Sequence, residues 1–402
     1  MSSTISLLDL PGMDDVSITV DGQQFSGWQS VAISASCESL PRTFQLGAST
    51  EFTQNPGAMA ATRPGQACTI QIGADTVITG WIDRRILSAG PREHQVVLVG
   101  RGLTRNAVDC SIDLTDQTIK GGMINQPNLL AMAQDLCHSY GIKVISAVSD
   151  LGIPIIGYQV HLQDSPYQAI ETAARYAGYL VYENALGQMV LDRIGTKSHA
   201  SGFSVPGNVE QIQAERSVDD RFQTYYVTWM TIDQYGELSP LSARIKAVVD
   251  PTFTEKRIKV IISEQIGSPV ATEANGYQLG TLTAEQRGNW EKGRRIGRSQ
   301  AVTLTCDTWR DSNGLLWQPN MFATLDAPAV DISNANWIIG SVAFRKDMSG
   351  THADLVMMDP LAYTPEPVPL NLFNNELAHT PLATQNPAPA STEHGLGWGG
   401  VD

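Results

Sequence analysis

Residues 17–36 read SITVDGQQFSGWQSVAISAS, and this stretch decides how the first part of the chain folds. Apolar and polar residues alternate within it, which is the pattern of a strand with one buried face. The alternating apolar residues are Ile18, Val20, Val31 and Ile33. Among them stands Asp21-Gly22, a dipeptide that accepts the positive φ angles of a tight hairpin turn. The stretch therefore predicts antiparallel strands joined by a short turn.

Three more segments of the same kind follow along the chain. They are CTIQIG, VITGWIDRRIL and HQVVLVGR, and each is short and rich in β-branched residues. A series of short strands separated by turns closes most readily into a small barrel or a sandwich. We assign residues 1–109 to this first β domain.

Residues 110–204 differ, because helical periodicity appears in them twice. NLLAMAQDLCHSYGIKV spaces its apolar residues at helical intervals, ends its helix at Gly141 and runs into a strand. SPYQAIETAARYAGYLVYENALGQMVLDR repeats the design, since Ser165 can cap a helix, Gly178 ends it, and a hairpin turns at Gly187. These helix-strand and helix-hairpin units predict an α+β domain.

From residue 205 to 362 the β pattern returns, interrupted by one amphipathic helix. TAEQ, which starts at Thr283, fits a capping box, and the helix is predicted over residues 283–298. Gly293 and Gly297 are expected to fray it. Residues 363–402 are rich in proline and lack a core-forming pattern, so we expect an extended tail there.

The two β regions share an internal echo. Its elements are Pro64-x4-Thr69, Ile78-x-Gly80 and His94 in the first region, and Pro319-x4-Thr324, Ile338-x-Gly340 and His352 in the second. The order of turn, strand, glycine and final strand agrees, although the loops differ in length. The echo predicts that the chain carries a duplicated β unit.

Composition argues against several classes of protein. The 402 residues carry a formal net charge of −14, which disfavours a protein whose main task is to hold phosphate backbones. Five scattered cysteines without a C-x-x-C motif argue against a disulfide framework and a zinc site. No stretch approaches the ~18 apolar residues of a membrane span, and the amino terminus lacks the cationic segment of a signal peptide. We expect folding in the cytosol and no membrane span.

No residue pattern in the chain carries recognisable catalytic chemistry. A nucleophile elbow, a zinc-protease helix and a phosphate-binding loop are all missing. GLGWGG, residues 395–400, matches a dinucleotide fingerprint, but no strand precedes it. Asp164 and Glu171 are explained by turn and cap roles and do not define a glycosidase pair. We predict no catalytic, cofactor-binding or metal-binding residues, and no enzyme.

NWEKGRRIGRSQ, residues 289–300, is a strongly basic stretch in an acidic chain. Its three interpretations are a phosphate grip on nucleic acid, an anion site, and a structural helix with a partner. Glu291 lies four residues from both Arg287 and Arg295, so a helix already pairs part of the charge. Such a pair contributes only ~0.3–0.5 kcal/mol, so we expect other arginines to bind acidic groups in the same chain or an adjacent subunit. We favour the structural helix.

Tryptophans crowd the last third of the chain. Each indole N–H needs a hydrogen-bond partner, so tryptophan suits both cores and interfaces. For each of Trp290, Trp309, Trp317 and Trp337 we favour the core over an interface.

The basic helix and the segment after it follow the pattern R-x-x-W-E-x-x-R-R-x-G-R-S, then a strand, a turn and L-W-x-P-N. The matching positions are Arg287, Trp290, Glu291, Arg294, Arg295, Gly297, Arg298, Ser299, Leu316, Trp317, Pro319 and Asn320. This pattern resembles the hub proteins of contractile phage tail baseplates, the Mu-like tail protein family. Thr308 stands where that family has glycine in a G-W-R-like turn. With VITGWIDRRI, HQVVLVGRGLTRNAVDCS and other segments, the resemblance covers roughly residues 14–363.

The resemblance implies a structural hub. Hubs of this family form a trimeric ring at the base of the tail tube, and two related β-barrel domains per chain match the sixfold tube. It thus implies β-barrel domains at residues 1–109 and 205–362 that flank an α+β domain at 110–204, followed by the tail. The candidate structural or interface residues are Arg287, Trp290, Glu291, Arg294, Arg295, Arg298, Trp309 and Trp317.

The resemblance also implies partners and a location. The partners are further copies of the chain in a homotrimer, the central spike, the tail tube or an adaptor protein, and the baseplate wedge proteins. The location is the virion tail baseplate, assembled in the host cytoplasm, with DNA passing through without specific nucleic-acid binding and with no cofactor. Three alternatives stay open: the hub of a type VI secretion or related contractile injection spike, a peptidoglycan-cleaving tail enzyme, and a carbohydrate-binding module.

Overall fold

The structure is a computed structural model and describes residues 13–49, 62–90, 93–115, 123–149, 155–160, 163–177, 179–195, 197–230, 243–263 and 273–363. Strands dominate these residues, and helices are few. The mainly β class predicted from the sequence is confirmed. The predicted tail beyond Tyr363, with GLGWGG inside it, lies outside the described residues.

The first part of the chain consists of antiparallel strands. They are β1 (Val16–Val20), β2 (Gln23–Phe25), β3 (Ser30–Ser36), β4 (Thr43–Ser49), β5 (Ala67–Ile72), β6 (Asp75–Gly90) and β7 (Glu93–Gly102). β1 and β2 form a hairpin whose turn takes positive φ angles at Asp21 (49°) and Gly22 (77°). Ile18, Val31 and Ile33 are buried, so the predicted alternation is confirmed.

The middle part combines helices and short strands around its own core. Its elements are α1 (Arg105–Asp109), β8 (Met123–Gln126), α2 (Leu129–His138), β9 (Val144–Ser146), β10 (Ile155–Gln159), α3 (Pro166–Ala177), β11 (Leu180–Glu183) and β12 (Met189–Asp192). Ser165 caps α3 by accepting a hydrogen bond from the Gln168 amide at 3.2 Å. Gly141 and Gly187 take positive φ angles of 66° and 73° at the predicted helix end and hairpin turn. Gly178 lies outside the described residues.

The last part returns to strands around one long helix. Its elements are β13 (Lys197–Ser198), β14 (Phe203–Ser204), β15 (Val209–Arg216), β16 (Thr224–Met230), β17 (Ala243–Val249), β18 (Ile258–Ser263), α4 (Glu273–Arg298), β19 (Gln300–Cys306), β20 (Met321–Ala327), β21 (Ile332–Asp347) and β22 (Gly350–Met358). Strands β17, β16 and β18 form a separate three-stranded sheet in that order. One face of this small sheet packs against α4, because Gly288 lets the helix approach Val248 and Val227 closely.

The remaining strands of the first and last parts join into one open sheet of 14 strands. Its main path runs β15-β19-β22-β21-β3-β4-β7-β6-β5-β1-β2. The seam is the pairing of β21 with β3, from Ser341 opposite Ser36 to Lys346 opposite Val31. The two β-barrels implied by the resemblance are therefore not found as closed barrels among the described strands. The long β21 uses its far half to pair with β3, which links the two halves of the sheet instead of closing either.

The same strand order occurs twice within this sheet. β3-β4-β7-β6-β5 in the first half corresponds to β15-β19-β22-β21-β20 in the second. In each half the long middle strand shifts register near the echo glycine, between Ile82 and Arg84 in β6, which is after Gly80, and between Ile339 and Ser341 in β21, which is at Gly340. Gly80 and Gly340 thus lie on equivalent strands but not at the same position relative to the shift. The sequence echo marks two sets of strands with the same connections.

Helix α4 is longer than the sequence indicates. It begins at Glu273, ten residues before the predicted capping box at Thr283. The helix also continues through Gly293 and Gly297 to Arg298, so the predicted fraying is wrong. A side chain at Gly297 would overlap the backbone nitrogen of Ala362. This glycine therefore serves close packing against the end of the β fold.

Candidate functional site

The last two turns of α4 are tied to the first half of the sheet by one carboxylate. Glu38, in the loop after β3, accepts hydrogen bonds on Oε1 from Arg294 at 3.1 Å and from Arg298 at 2.6 Å. Arg298 also donates through Nε to the carbonyl of Ala362 at 3.2 Å. Glu38 therefore joins segments that are far apart in the chain. We call this group of Glu38, Arg294 and Arg298 the Glu38 clamp.

A second charge group lies beside the Glu38 clamp on the same helix. Arg295 donates through Nε to Glu291 Oε1 at 2.7 Å and through Nη1 to the carbonyl of Asp220 at 3.0 Å. Arg287 lies 4.0 Å from the other Glu291 oxygen. The indole of Trp290 contacts two guanidinium groups, with Arg287 at 4.9 Å and Arg294 at 5.4 Å from the ring centre. Trp290 thus connects the two charge groups.

Two clefts lie beside the side chains of Trp290, Arg294 and Arg298, which line both of them. One has a volume of about 430 Å³ and is walled by Asp219, Asp220 and Arg221. The other has a volume of about 400 Å³ and is walled by Glu38 and residues of the α+β part. Both contain acidic and basic groups that already bind each other, so neither offers the concentrated positive charge that a phosphate backbone needs. The geometry favours the structural interpretation of NWEKGRRIGRSQ.

The two tryptophans after the helix lie in the core. Trp309 donates its indole N–H to the carbonyl of His352 at 2.7 Å, and Trp317 donates to the carbonyl of Thr308 at 2.9 Å. Both are 1% exposed, and Trp317 packs on Phe203 with ring centres 4.5 Å apart. These two indoles therefore lie in the core, whereas Trp290 and Trp337 are only half-buried.

Arg310 is a clamp that the sequence analysis missed. Its guanidinium binds Asp75 Oδ2 at 2.5 Å, Asp14 Oδ1 at 3.3 Å and three backbone carbonyls between 2.8 and 3.1 Å. The side chain is only 11% exposed. It reaches from the turn after β19 to the end of the β1-β5 pair at which β1 begins and β5 ends. Its place directly after Trp309 in the family-like turn was the available signal.

Glu183 forms a second missed junction, between β11 and the first sheet. Its carboxylate accepts hydrogen bonds from the backbone amides of Arg42 at 2.7 Å and Thr104 at 3.0 Å. The Arg42 guanidinium in turn donates to the Glu183 carbonyl at 2.9 Å. Burial raises the pKa of Glu183, an effect that these hydrogen bonds partly offset, and burial lowers the pKa of Arg42. The pair anchors the α+β part to the sheet.

His199 and Asp311 form a buried pair between β13 and the turn after Trp309. His199 Nδ1 lies 3.0 Å from Asp311 Oδ2, while Nε2 accepts the backbone amide of Gln318 at 3.2 Å. A ring that accepts at Nε2 and donates at Nδ1 is neutral. Burial lowers the pKa of His199, and Asp311 offsets only part of that effect. Burial alone would raise the pKa of Asp311, but the backbone amides of Ala200 and Leu315 and the His199 ring lower it overall.

The described residues contain no group of three or more histidines, cysteines or carboxylates arranged to hold a metal ion. No helix in the described part of the chain has the length and apolar character needed to cross a membrane. All five cysteines are free thiols, as predicted. Burial raises the pKa of the Cys68 and Cys137 thiols to about 12, so neither is reactive at neutral pH.

Comparison with known proteins matches three successive segments to one family. Residues 15–102 match the N-terminal domain of Mu phage baseplate assembly protein GpP-like proteins. Residues 104–193 match the second domain of baseplate hub protein gp44-like proteins. Residues 280–366 match the fourth domain of Mu phage baseplate assembly protein GpP. The order of the matches follows the order of the β, α+β and β parts.

Individual proteins give the same result. Baseplate hub protein gp44 of Escherichia phage Mu is 28% identical over 336 residues, which cover 81% of this chain and 83% of that protein. The 43 kDa tail protein of prophage MuSo2 from Shewanella oneidensis is 26% identical with a TM-score of 0.72, over 88% of this chain and 100% of that one. The E. coli type VI secretion component c3393 shares the fold alone, at 9% identity and a TM-score of 0.50, over 88% and 80%. The chain belongs to the Mu-like family of phage tail baseplate hub proteins.

Proposed function

We propose that this baseplate hub protein works as a closed homotrimer that joins a sixfold tail tube to a trimeric central spike. The observation that carries the proposal is the strand order that occurs twice in one chain. Three copies with two equivalent β units each present six similar units to a sixfold partner, while the whole ring keeps threefold symmetry for the spike. Tail tube or adaptor proteins and baseplate wedge proteins are the remaining partners in this proposal.

Native mass tests the trimer directly. One chain has a mass of 43.5 kDa, so three chains have a mass of about 130 kDa. Light scattering or native mass spectrometry should detect this mass. Each subunit interface should bury more than ~1,000 Å² in total, the usual minimum for a specific contact. A mass of one chain or of six chains across a wide concentration range contradicts the proposal.

We divide the chain into functional parts at residues 1–109, 110–204, 205–362 and 363–402. In this division the first and third parts build the ring, the second lies between them, and the tail reaches towards the spike. Deleting residues 364–402 should leave the melting temperature unchanged but weaken binding of the purified spike. Unchanged spike affinity in the truncated protein contradicts a role for the tail.

The hub lets DNA pass without holding it. The acidic balance of the chain, with a net charge of −14, supports this, because DNA binding is driven by counterion release at clustered cations. Fluorescence anisotropy with duplex DNA at physiological salt should therefore detect no binding. A micromolar Kd contradicts the proposal and revives the interpretation of NWEKGRRIGRSQ as a phosphate grip.

The alternatives differ in how they fit the structure. A carbohydrate-binding module needs accessible aromatic faces, and Trp309 and Trp317 are both 1% exposed. We propose no peptidoglycan-cleaving activity, and a zymogram with the purified chain tests this. A hub of a type VI or related injection spike is favoured by a shared fold alone, such as the one shared with c3393. In our proposal the hub is assembled in the host cytoplasm and is located at the virion baseplate. Detection of the chain in purified virions separates the phage hub from that alternative.

A further inference from the structure

A cavity of about 390 Å³ lies where the α+β part meets both halves of the large sheet. Its walls come from β3 and the loop after it, from the β11-β12 hairpin, and from the segment between β19 and β20. Volumes of ~300–1,000 Å³ are typical of sites that hold small molecules. The cavity is therefore large enough for a small ligand, and its lining decides which kind of ligand fits.

The inner wall of the cavity is apolar. Ala35 of β3 and Val342 of β21 are paired across the seam of the sheet and line the cavity together with Phe344. All three are buried, and Trp317 belongs to the same lining. A ligand that lies against this wall loses contact with water, so the wall favours a ligand with an apolar body.

Two carboxylates line the cavity, and both are already bound within the chain. Asp192 accepts hydrogen bonds on Oδ2 from the Tyr182 hydroxyl at 2.8 Å and from the Asn320 amide at 3.2 Å. Asp75 binds Arg310 through Oδ2 at 2.5 Å. Neither carboxylate is therefore free to hold a cation. Their charges also disfavour a ligand with more than one negative charge.

Two cations line the cavity as well, and neither forms an ion pair with the described residues. One of them is Arg42, which donates through Nε to the Glu183 carbonyl at 2.9 Å and through Nη1 to the Val77 carbonyl at 3.0 Å. Both acceptors are uncharged, because the Glu183 carboxylate is occupied by two backbone amides instead. The other is Lys197, which is exposed. The unpaired charge of the cavity is therefore positive.

The guanidinium of Arg42 keeps one nitrogen free. Nη2 has no hydrogen-bond partner among the described residues, and it is not among the partnerless polar atoms that are sealed from solvent. Val77, whose carbonyl binds the neighbouring Nη1, lines the cavity too, so the guanidinium is the end of Arg42 that meets the cavity. Burial lowers the pKa of Arg42, and the nearby charge of Glu183 offsets part of that effect. An anion at Nη2 would accept up to two charge-assisted hydrogen bonds and add to that offset.

Two leucines in turns belong to the lining of the cavity. Leu186, in the β11-β12 hairpin, is 59% exposed, and Leu315, in the turn after β19, is 40% exposed. Exposed apolar side chains beside a cavity are typical of a binding site. They extend the apolar surface from the inner wall towards solvent.

We propose that this cavity binds a small organic acid with a single carboxylate. The carboxylate accepts hydrogen bonds from Arg42 Nη2 and is attracted by Lys197, while the apolar body packs against Ala35, Val342 and Phe344. The bound carboxylates of the lining disfavour a phosphate ester, and the apolar wall disfavours an inorganic anion. The site belongs to the folded chain and depends neither on the trimer nor on the role in the baseplate.

Isothermal titration calorimetry with benzoate tests the site in the isolated full-length protein. Benzoate should bind at least about tenfold more tightly than benzamide, which has a similar shape without the charge, because hydrogen bonds to an ionised group are roughly twice as strong. Ala147→Trp, at an exposed position of the cavity lining, should abolish the binding of both compounds by filling the space. A crystal structure of the complex should place the benzoate carboxylate within hydrogen-bond distance of Arg42 Nη2. Arg42 itself is kept in these tests, because it also anchors the α+β part.

Lys197→Met should weaken benzoate binding by about threefold to tenfold, through the loss of one positive charge near the carboxylate. Lys143→Met is the matched control, because Lys143 is also an exposed lysine but does not line the cavity, and it should leave the affinity unchanged. Absence of benzoate binding overturns the proposal, as do equal affinities for benzoate and benzamide and binding that survives Ala147→Trp. Extraction of the protein from its native source, followed by mass spectrometry, should recover the acid. A cavity that binds benzoate but yields no acid holds a carboxylate of a neighbouring protein instead, which overturns the free ligand.

Discussion

Replacing Glu38 by arginine should destabilise the fold through the Glu38 clamp. The change removes the carboxylate that accepts from Arg294 at 3.1 Å and from Arg298 at 2.6 Å, and it puts a third cation beside them. Two unit charges ~4 Å apart interact by ~1 kcal/mol in water and by ~4 kcal/mol at the effective dielectric constant of a protein surface. The three side chains are 28–42% exposed, so we use values near the aqueous limit.

The expected loss follows from two pairs that change from attraction to repulsion. Each pair loses ~0.5–1 kcal/mol of attraction and gains ~0.5–1 kcal/mol of repulsion. For the two pairs together, Glu38→Arg should therefore lower the free energy of unfolding by ~2–4 kcal/mol. Glu38→Gln keeps the shape and one acceptor oxygen, and it should cost only ~1–2 kcal/mol. Both losses should shrink in 1 M NaCl, because screening over ~3 Å weakens attraction and repulsion alike.

A charge exchange separates this electrostatic effect from a packing defect. Combining Glu38→Arg with Arg298→Glu restores one ion pair in reversed polarity, so the double variant should recover ~1 kcal/mol relative to the sum of the single variants. Urea unfolding followed by tryptophan fluorescence measures all three stabilities. Additive losses, within the ~0.3–0.5 kcal/mol expected for independent sites, would refute the clamp.

Three other predictions concern glycine, histidine and arginine positions. Gly297→Ala should lower the free energy of unfolding by ~1–3 kcal/mol through overlap with the Ala362 backbone. Gly293→Ala would place its Cβ in ordinary van der Waals contact with the Leu361 side chain, at 3.7 Å, and should raise the free energy of unfolding by up to ~1 kcal/mol. Thermal melts of both variants measure these changes. Because the pKa of His199 is lowered in the fold, the unfolded chain binds a proton first, so stability should be constant above pH ~6.5 and fall below it by up to ~1.4 kcal/mol per pH unit. His199→Gln should flatten that part of the pH profile in calorimetry. Arg310→Lys keeps the charge but loses the fork that reaches two carboxylates and three carbonyls, and should cost ~1–3 kcal/mol in urea unfolding.

Local patterns in the sequence predicted local structure well. Asp21-Gly22, Ser165 and Gly187 act at short range, through φ angles and a cap that depend on residues within a few positions. The sequence echo also fell on equivalent strands, because it recorded the order of the strands and turns. The core positions of Trp309 and Trp317 followed from the same kind of argument about indole burial.

The pairing of strands that are far apart in the chain could not be predicted from the sequence. Whether β21 turns back on its own half or pairs with β3 is decided by contacts between residues about 300 positions apart, and alternation looks the same in both cases. The start of α4 at Glu273 was missed because the capping box at Thr283 indicated a later first residue. Arg310 and Glu183 were missed because their partners come from distant strands and leave no spacing signal.

The seam between β3 and β21 has a mechanical consequence. Six residue pairs connect the two halves of the sheet, and the two paired strands are antiparallel. The relevant force is a shearing force, which pulls the two halves apart along the direction of these strands. A force in that direction loads all the backbone hydrogen bonds at once, whereas a peeling force would break them one at a time. The two halves should therefore move as one stiff plate when a contracting tail pushes or pulls on the chain.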